Sequence, residues 1–143
     1  MNKEKLIKKL KNQGYLETPL ITEAFRKIYR KDFVPEERLE LAYTNQALPL
    51  KKGQTISQPL TVAFMLEKLE PQPSEKIMDI GTGSGWQASL IAYIISKNEE
   101  KNKGKVITIE RIPELVEIAK ENISRYSFIE KNTLRMTQRG SAL

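Results

Sequence analysis

The stretch Lys76-Ile-Met-Asp-Ile-Gly-Thr-Gly-Ser-Gly-Trp-Gln87 decides the fold of this chain. Residues 76–80 predict a short β-strand, which enters the glycine-rich turn at 81–85. An amphipathic helix follows the turn, with apolar side chains recurring at helical spacing. Its inward face is predicted to contain Leu90, Ile91, Ile94 and Ile95.

A second strand and helix come after a polar loop at 98–103. Residues 105–109 are nearly all apolar, as is typical of buried parallel strands, and the strand ends at Glu110. Pro113 suits the first turn of the next helix. The inward side chains of that helix are predicted to be Leu115, Val116, Ala119 and Ile123. The order is that of a βαβα unit, so we predict an α/β fold with a parallel sheet and right-handed crossovers.

The amino-terminal part is predicted to be mainly helical. Two short amphipathic helices should cover about 3–12 and 20–30, and Val34-Pro35 closes the second. Residues 42–58 predict an ordered loop region with short strands. A further helix begins at Pro59 and stops before Pro71, with Val62, Met65, Leu66 and Leu69 at helical spacing.

Composition excludes several classes of protein. The 143 residues are 39% hydrophobic and 29% charged, which is typical of one globular domain. Because the chain has no cysteine and no histidine, it cannot use disulfides, zinc fingers or imidazole bases, and we predict no metal site. The longest apolar run, Leu90 to Ile95, is too short for a membrane span, and no secretory signal begins the chain. We therefore expect a soluble, monomeric, cytoplasmic protein.

The net charge of +6 is concentrated at the amino terminus. Residues 1–31 hold nine Lys/Arg and three Asp/Glu, whereas 32–143 hold fifteen of each. A basic arm of this kind could bind nucleic acid. Because Leu6, Ile7 and Leu10 recur among the lysines without interleaved aromatics, we favour a solvated helix face and expect no nucleic-acid partner.

The glycine turn lies where open α/β sheets bind ligands, at the carboxyl end of a strand. A dinucleotide fingerprint needs glycine where Trp86 stands, and a P-loop needs Lys-Ser/Thr where Trp86-Gln87 stands. Both phosphate-binding motifs are therefore excluded. The carboxylate of Asp79 would repel a phosphate and attract a cation, and Glu110 is placed to accept hydrogen bonds from a ribose diol.

A ligand with a ribose, a positive charge and no phosphate fits S-adenosylmethionine. The hypothesis requires that Asp79 and Glu110 flank one crevice and that Trp86 leaves it open. The alternative is structural: Asp79 caps the turn, and Glu110 is a solvated strand end.

The chain resembles the protein-L-isoaspartate O-methyltransferase family from about residue 5 to 126. The specific motif is Gly53-Gln-Thr-Ile-Ser-Gln-Pro59, joined by Thr61–Leu66, Asp79–Gln87 and Val106–Leu115. Upstream, Phe33-Val-Pro35 and Ala42–Leu50 are similar to the family's amino-terminal region.

The resemblance implies a Rossmann-like class I methyltransferase fold, with 1–58 as a helical region and substrate loop and 59–143 as the first half of the cofactor-binding domain. It implies S-adenosylmethionine as cofactor and isoaspartyl residues of damaged proteins as substrates, for protein repair. Ser57 would be catalytic, and Thr55, Ile56 and Ser57 would line the substrate pocket. The implied cofactor contacts are Asp79, Gly81, Thr82, Gly83, Gly85 and Glu110. Without the surrounding motif, Ser57 could equally cap the helix that begins at Pro59.

The resemblance fails after Tyr126. The family's third strand ends in an acid that approaches adenine, and Arg139 stands at that position in Leu134–Ser141. We expect the carboxyl-terminal half of the sheet to be missing, which would expose an apolar strand edge and an uncovered face. Two alternatives to the enzyme stay open: a truncated, non-catalytic remnant with weak or no cofactor binding, and a methyltransferase that acts on RNA.

Overall fold

The computed structural model describes residues 1–97, 104–129 and 133–138. Its helices and strands follow the predicted order. The helices are α1 (Lys3–Asn12), α2 (Pro19–Lys27), α3 (Pro59–Leu69), α4 (Trp86–Ile95) and α5 (Pro113–Ser124). The strands are β1 (Leu48–Pro49), β2 (Thr55–Ile56), β3 (Lys76–Ile80), β4 (Lys105–Glu110) and β5 (Leu134–Gln138). Two 3₁₀ segments, Arg30–Phe33 and Glu36–Leu41, connect α2 to β1.

The main sheet is parallel, as predicted, with the order β3-β4-β5. Its register pairs Asp79 with Thr108, and it pairs Glu110 with Gln138. Helix α4 packs on the face of the sheet that carries Asp79, Val106 and Thr108, and it is buried along almost its whole length. Helix α2 packs on α4 from the other side. The buried α4 therefore holds the turn that precedes it in a fixed position.

Helix α1 confirms the prediction of a solvated lysine face. Leu6, Ile7 and Leu10 are buried, while Lys5, Lys8 and other lysines are exposed. Ile21, Ala24 and Phe25 of helix α2 are buried as predicted, and so is Ile28, which follows the helix. The helix ends at Lys27 rather than near residue 30. It ends there because the backbone at 28 and 29 is extended, and the Tyr29 N–H donates to the Tyr126 hydroxyl instead of continuing the helix.

Residues 42–58 form the predicted ordered region, in which β1 and β2 pair as a two-stranded antiparallel hairpin. Helix α3 starts at Pro59 as predicted, and the side chain of Asn45 accepts a hydrogen bond from its Leu60 N–H at 2.9 Å. The four apolar residues at helical spacing in α3 do not all face inward. Val62 and Leu66 are buried with Ala63, but Met65 and Leu69 are half exposed.

One face of the main sheet is open among the described residues. Met78 is 60% exposed and Ile80 is 79% exposed, and both lie on the edge strand β3. On β4, Ile107 and Ile109 are only half-buried on the same face, so β4 alternates between buried and half-buried residues. The predicted uncovered face and exposed apolar edge are therefore present in the described part of the chain.

Two predictions fall on residues that the structure does not describe. The polar loop at 98–103 is one, and the position of Arg139 is the other. Among the described residues, no helix is both long enough and apolar enough to cross a membrane.

The two faces of the sheet should differ in their response to the same substitution. We expect Ile91→Ala, in the buried α4, to lower the free energy of unfolding by about 2–5 kcal/mol, because it leaves a cavity. Ile80→Ala should change it by about 0.5 kcal/mol or less, because the Ile80 side chain faces solvent. Urea unfolding followed by circular dichroism measures both. A loss above 2 kcal/mol for Ile80→Ala would contradict the open face.

Candidate functional site

The glycine turn between β3 and α4 is a tight backbone structure that is tied to β4. The N–H groups of Gly81 and Thr82 both donate to the Ile109 carbonyl, at 2.8 and 3.1 Å. At Gly81, φ is +88° and a Cβ atom would meet nothing within 4 Å, so this backbone faces open space. At Gly85, φ is +91° and a Cβ would lie 3.0 Å from Ile123. The positive φ favours glycine at both positions, and at Gly85 a Cβ would also crowd Ile123.

Asp79 is buried at the end of β3, with 5% of its surface exposed. Its carboxylate accepts hydrogen bonds from the Thr108 hydroxyl at 2.7 Å and from the Gln87 amide at 3.1 Å. Because Thr108 has one hydroxyl hydrogen, the Thr82 hydroxyl, 2.6 Å away, donates to Thr108 in turn. Burial raises the pKa of Asp79, and the nearby Glu110 raises it further, while the two hydrogen bonds lower it.

Within the residues that the structure describes, the Asp79 carboxylate bonds to side chains and not to the amides of the turn, so it does not cap the glycine turn. The predicted cofactor contact Thr82 is also buried, and its hydroxyl is directed to Thr108.

Glu110 is also buried, with 7% of its surface exposed, so it is not a solvated strand end. One carboxylate oxygen accepts from the N–H groups of Arg111 and Ile112, at 2.9 and 3.2 Å. The other accepts from the Gly83 N–H at 2.9 Å. Glu110 therefore joins the glycine turn to the start of α5. A carboxylate has about four acceptor positions, so these three hydrogen bonds leave capacity for a ligand.

The predicted substrate segment lies beside the glycine turn. Thr55 and Ser57 are exposed, whereas Ile56 is buried between them, as expected for alternating residues of an extended strand. The residue before α3 is Gln58, and no side chain at that position bonds to the helix amides. Ser57 is therefore not the helix cap. Its hydroxyl has no hydrogen-bond partner within 1–97, 104–129 and 133–138.

Two cavities open along the glycine turn. One of about 180 Å³ is lined by Ser57, Asp79 and Trp86, among others. The other, of about 340 Å³, is lined by Gln54, Glu110 and Arg111, among others. They share Thr55, Ile80, Gly81 and Gly83 as lining residues. The two cavities adjoin at these shared residues, so Asp79, Glu110 and the 54–57 segment border one continuous crevice.

Trp86 leaves this crevice open. Its ring is 3% exposed and packs edge-to-face on Phe25, with ring centroids 5.5 Å apart. The indole is thus directed into the core between α2 and α4.

The crevice has a negative electrostatic character around Asp79 and Glu110. Neither carboxylate takes part in an ion pair within the described part of the chain. Two buried carboxylates without a nearby cation lower the folding stability of the unliganded protein. A cationic ligand in the crevice would reduce that cost. The two carboxylates, which are hydrogen-bond acceptors, therefore fit a ligand that carries positive charge and hydroxyl groups.

Two residues that support the site were not singled out in the sequence. Thr108 holds Asp79 from the neighbouring strand, and Asn122 donates to the Ser84 carbonyl at 3.0 Å from α5. The signal for Asn122 was available: it is a polar residue at an inward helical position, seven residues after Leu115. Thr108 gave no such signal, since threonine is common in strands.

Asp79→Asn should make the unliganded protein more stable. The ordinary pKa of an aspartate is 3.8. Because burial raises the pKa of Asp79 in the folded chain, stability falls as the pH rises from that value through the folded pKa, and the deficit persists at neutral pH. We expect the variant to gain about 0.5–2 kcal/mol in the free energy of unfolding at pH 7.

Urea unfolding at several pH values tests this expectation. The difference between Asp79→Asn and wild type should shrink at acidic pH, where the wild-type carboxyl is itself neutral. The exposed Glu36→Gln serves as control and should leave stability unchanged. A variant less stable than wild type at pH 7 would show that Asp79 is there to stabilise the fold.

Comparisons with known proteins point to one family. The family model described as protein-L-isoaspartate(D-aspartate) O-methyltransferase matches residues 1–137. The protein-L-isoaspartate O-methyltransferase of Methanopyrus kandleri is 40% identical over 126 residues, which are 88% of this chain and 54% of that protein. The protein-L-isoaspartate O-methyltransferase of Staphylothermus marinus is 40% identical over 132 residues, which are 92% of this chain and 59% of that protein. The chain thus spans little more than half the length of these relatives.

Solved structures give the same result. A chain from Plasmodium falciparum, described as a protein-L-isoaspartate O-methyltransferase in complex with S-adenosyl-L-homocysteine, aligns with a TM-score of 0.83 and 26% identity. The alignment covers 96% of this chain and 62% of that one. Another protein-L-isoaspartate O-methyltransferase aligns with a TM-score of 0.79 and 27% identity. That alignment covers 96% of this chain and 42% of the other. The chain therefore has the Rossmann-like methyltransferase fold and belongs to the protein-L-isoaspartate O-methyltransferase family.

Proposed function

We propose that this protein transfers a methyl group from S-adenosylmethionine to the α-carboxylate of L-isoaspartyl residues in damaged proteins. The observation that carries the proposal is the single crevice bordered by Asp79, Glu110 and the 54–57 segment. Family membership supplies the choice of methyl donor and acceptor.

The crevice fits S-adenosylmethionine by three features. The open space at Gly81 lets a ligand approach the backbone closely. The unpaired carboxylate of Asp79 suits the positively charged end of the molecule. Glu110 keeps an acceptor position for a ribose hydroxyl. When bound, the cofactor would supply an electrophilic methyl group on a positively charged sulfur.

The acceptor chemistry agrees with a chain that lacks histidine and cysteine. A carboxylate with a pKa near 4 is already ionised at neutral pH, so it needs no general base to act as a nucleophile. The protein's task is then to hold two reactants in contact and in line, and placement alone can account for large rate enhancements.

Ser57 is placed to orient the acceptor. Its hydroxyl is exposed to the crevice and has no protein partner in the described residues, so it can donate to one oxygen of a bound carboxylate. The neighbouring Thr55 lines both cavities and lies between the acceptor region and the Glu110 region. In this proposal Ser57 is a hydrogen-bond donor and not a nucleophile.

Methyl transfer to synthetic peptides tests the proposed activity. A radiolabelled methyl donor and an isoaspartyl peptide should give a methyl ester, while the same peptide with a normal aspartyl residue should stay unlabelled. Equal labelling of both peptides contradicts the substrate assignment. Calorimetric titration with S-adenosylhomocysteine is the companion measurement, because a folded chain that shows neither binding nor transfer would support the non-catalytic alternative.

Ser57→Ala should separate catalysis from cofactor binding. We expect kcat to fall by at least about tenfold, because the acceptor carboxylate loses the donor that orients it. The Kd for S-adenosylhomocysteine should change by less than about twofold. Ser127→Ala, at an exposed serine outside the crevice, is the matched control. If Ser57→Ala has wild-type kcat, Ser57 has no part in the reaction.

A further inference from the structure

Arg30 is among the largest fully buried side chains of the described residues, with 1% of its surface exposed. Its guanidinium donates to three backbone carbonyls: Ala42 at 2.7 Å, Gln46 at 2.9 Å and Ser57 at 3.1 Å. These carbonyls are far apart in sequence and belong to the region that leads into and out of the β1–β2 hairpin. Arg30 therefore joins the 3₁₀ segment after α2 to the substrate segment.

One nitrogen of Arg30 closes the base of the hairpin. The Nη2 atom donates to both Gln46 and Ser57. Gln46 lies two residues before β1 and Ser57 directly follows β2, so the two carbonyls lie just outside the paired residues Leu48 and Ile56. The hairpin itself has only two residues in each strand. Such a short ladder fixes the position of Ser57 weakly. The Arg30 guanidinium adds hydrogen bonds at the base of the hairpin, beside those that join Asn45 to Gln58 and Leu60.

The same guanidinium lies over Trp86, with the Cζ atom 5.3 Å from the ring centroid. Trp86 is the first residue of α4, directly after the glycine turn, and it lines the cavity together with Ser57. Arg30 thus contacts two residues that line that cavity, Ser57 through its carbonyl and Trp86 through its ring.

The charge of Arg30 has no counter-ion. Within residues 1–97, 104–129 and 133–138 no carboxylate forms an ion pair with it, and its Nε atom has no hydrogen-bond partner. Desolvation lowers the pKa of Arg30 to about 10, so the guanidinium stays charged at neutral pH. A buried unpaired charge costs free energy, but an apolar side chain at this position would leave the carbonyls of Ala42, Gln46 and Ser57 without these hydrogen bonds. The forked guanidinium, which reaches three carbonyls at once, accounts for an arginine here.

We propose that Arg30 is a positioning residue: its guanidinium clamps the base of the β1–β2 hairpin and holds Ser57 at the edge of the cavity that Trp86 also lines. This inference rests on the proposed function, because the clamp matters for catalysis through the Ser57 hydroxyl. Small displacements of a group that orients a reactant cost large factors in rate. Loss of the clamp should accordingly lower kcat and leave Asp79 and Glu110, which lie on the main sheet, in place.

Arg30→Lys is the informative variant, because it keeps the positive charge but loses the fork that bridges two carbonyls. We expect kcat for the isoaspartyl peptide to fall at least tenfold, with the Kd for S-adenosylhomocysteine within twofold of wild type. The exposed Arg38→Lys is the matched control and should have wild-type kcat. A kcat within twofold of wild type in Arg30→Lys would overturn the proposal.

Hydrogen exchange gives a readout that does not depend on activity. In Arg30→Lys, the amides of residues 46–58 should exchange at least tenfold faster, while those of α4 keep their protection. Equal acceleration in both regions would mean that Arg30 only stabilises the fold, and it would overturn the clamp. Arg30→Gln, which removes the buried charge and keeps a side-chain N–H, provides the same two readouts should Arg30→Lys fail to fold.

The two proposals fail separately. A folded wild-type chain without methyl transfer contradicts the proposed function, and the exchange of residues 46–58 in the Arg30 variants then decides whether the clamp exists. A wild-type chain with normal transfer whose Arg30 variants keep both kcat and hairpin protection contradicts the clamp alone.

Discussion

The hydrogen bonds that join the glycine turn to the end of β4 are the constraint on which the site depends. The Ile109 carbonyl accepts the N–H groups of Gly81 and Thr82, and the Glu110 carboxylate accepts that of Gly83. A loop of small residues would otherwise be conformationally free. Held in this way, the turn presents its backbone to open space at Gly81 while its far end packs against α5 at Gly85.

Two buried charged side chains cost the fold free energy, because each has been removed from water. Asp79 lacks a cation, and Arg30 lacks an anion, in the part of the chain that the structure describes. Each is held by neutral hydrogen-bonding groups, hydroxyl and amide for Asp79 and carbonyls for Arg30. Such groups satisfy hydrogen bonds without neutralising charge, so the Asp79 carboxylate can still attract a cationic ligand. Polar groups that cost stability and border a crevice are typical of functional sites.

Much of the fold could be predicted because the chain's local signals agree with its tertiary structure. The strand, turn and helix at 76–95 were predicted because apolar periodicity and the glycines at 81, 83 and 85 point to the same structure. Predictions failed where a long-range contact overrode local pattern. Helix α2 stops early because of the Tyr29–Tyr126 hydrogen bond, across 97 residues of sequence. Met65 and Leu69 have helical spacing, but the side of α3 on which they lie is half exposed.

The order of the elements, the parallel sheet and the residues around which the site is built follow from the amino-acid sequence, because periodicity, glycine turns and proline positions are local properties of the chain. Three long-range contacts arise only when the chain folds: the Thr82 and Thr108 hydroxyls form a hydrogen-bonded chain to Asp79, Glu110 accepts from the glycine turn, and Arg30 donates to the Ser57 carbonyl. These contacts join residues 26 to 29 positions apart, and no spacing rule specifies which distant polar groups will meet once the core has packed.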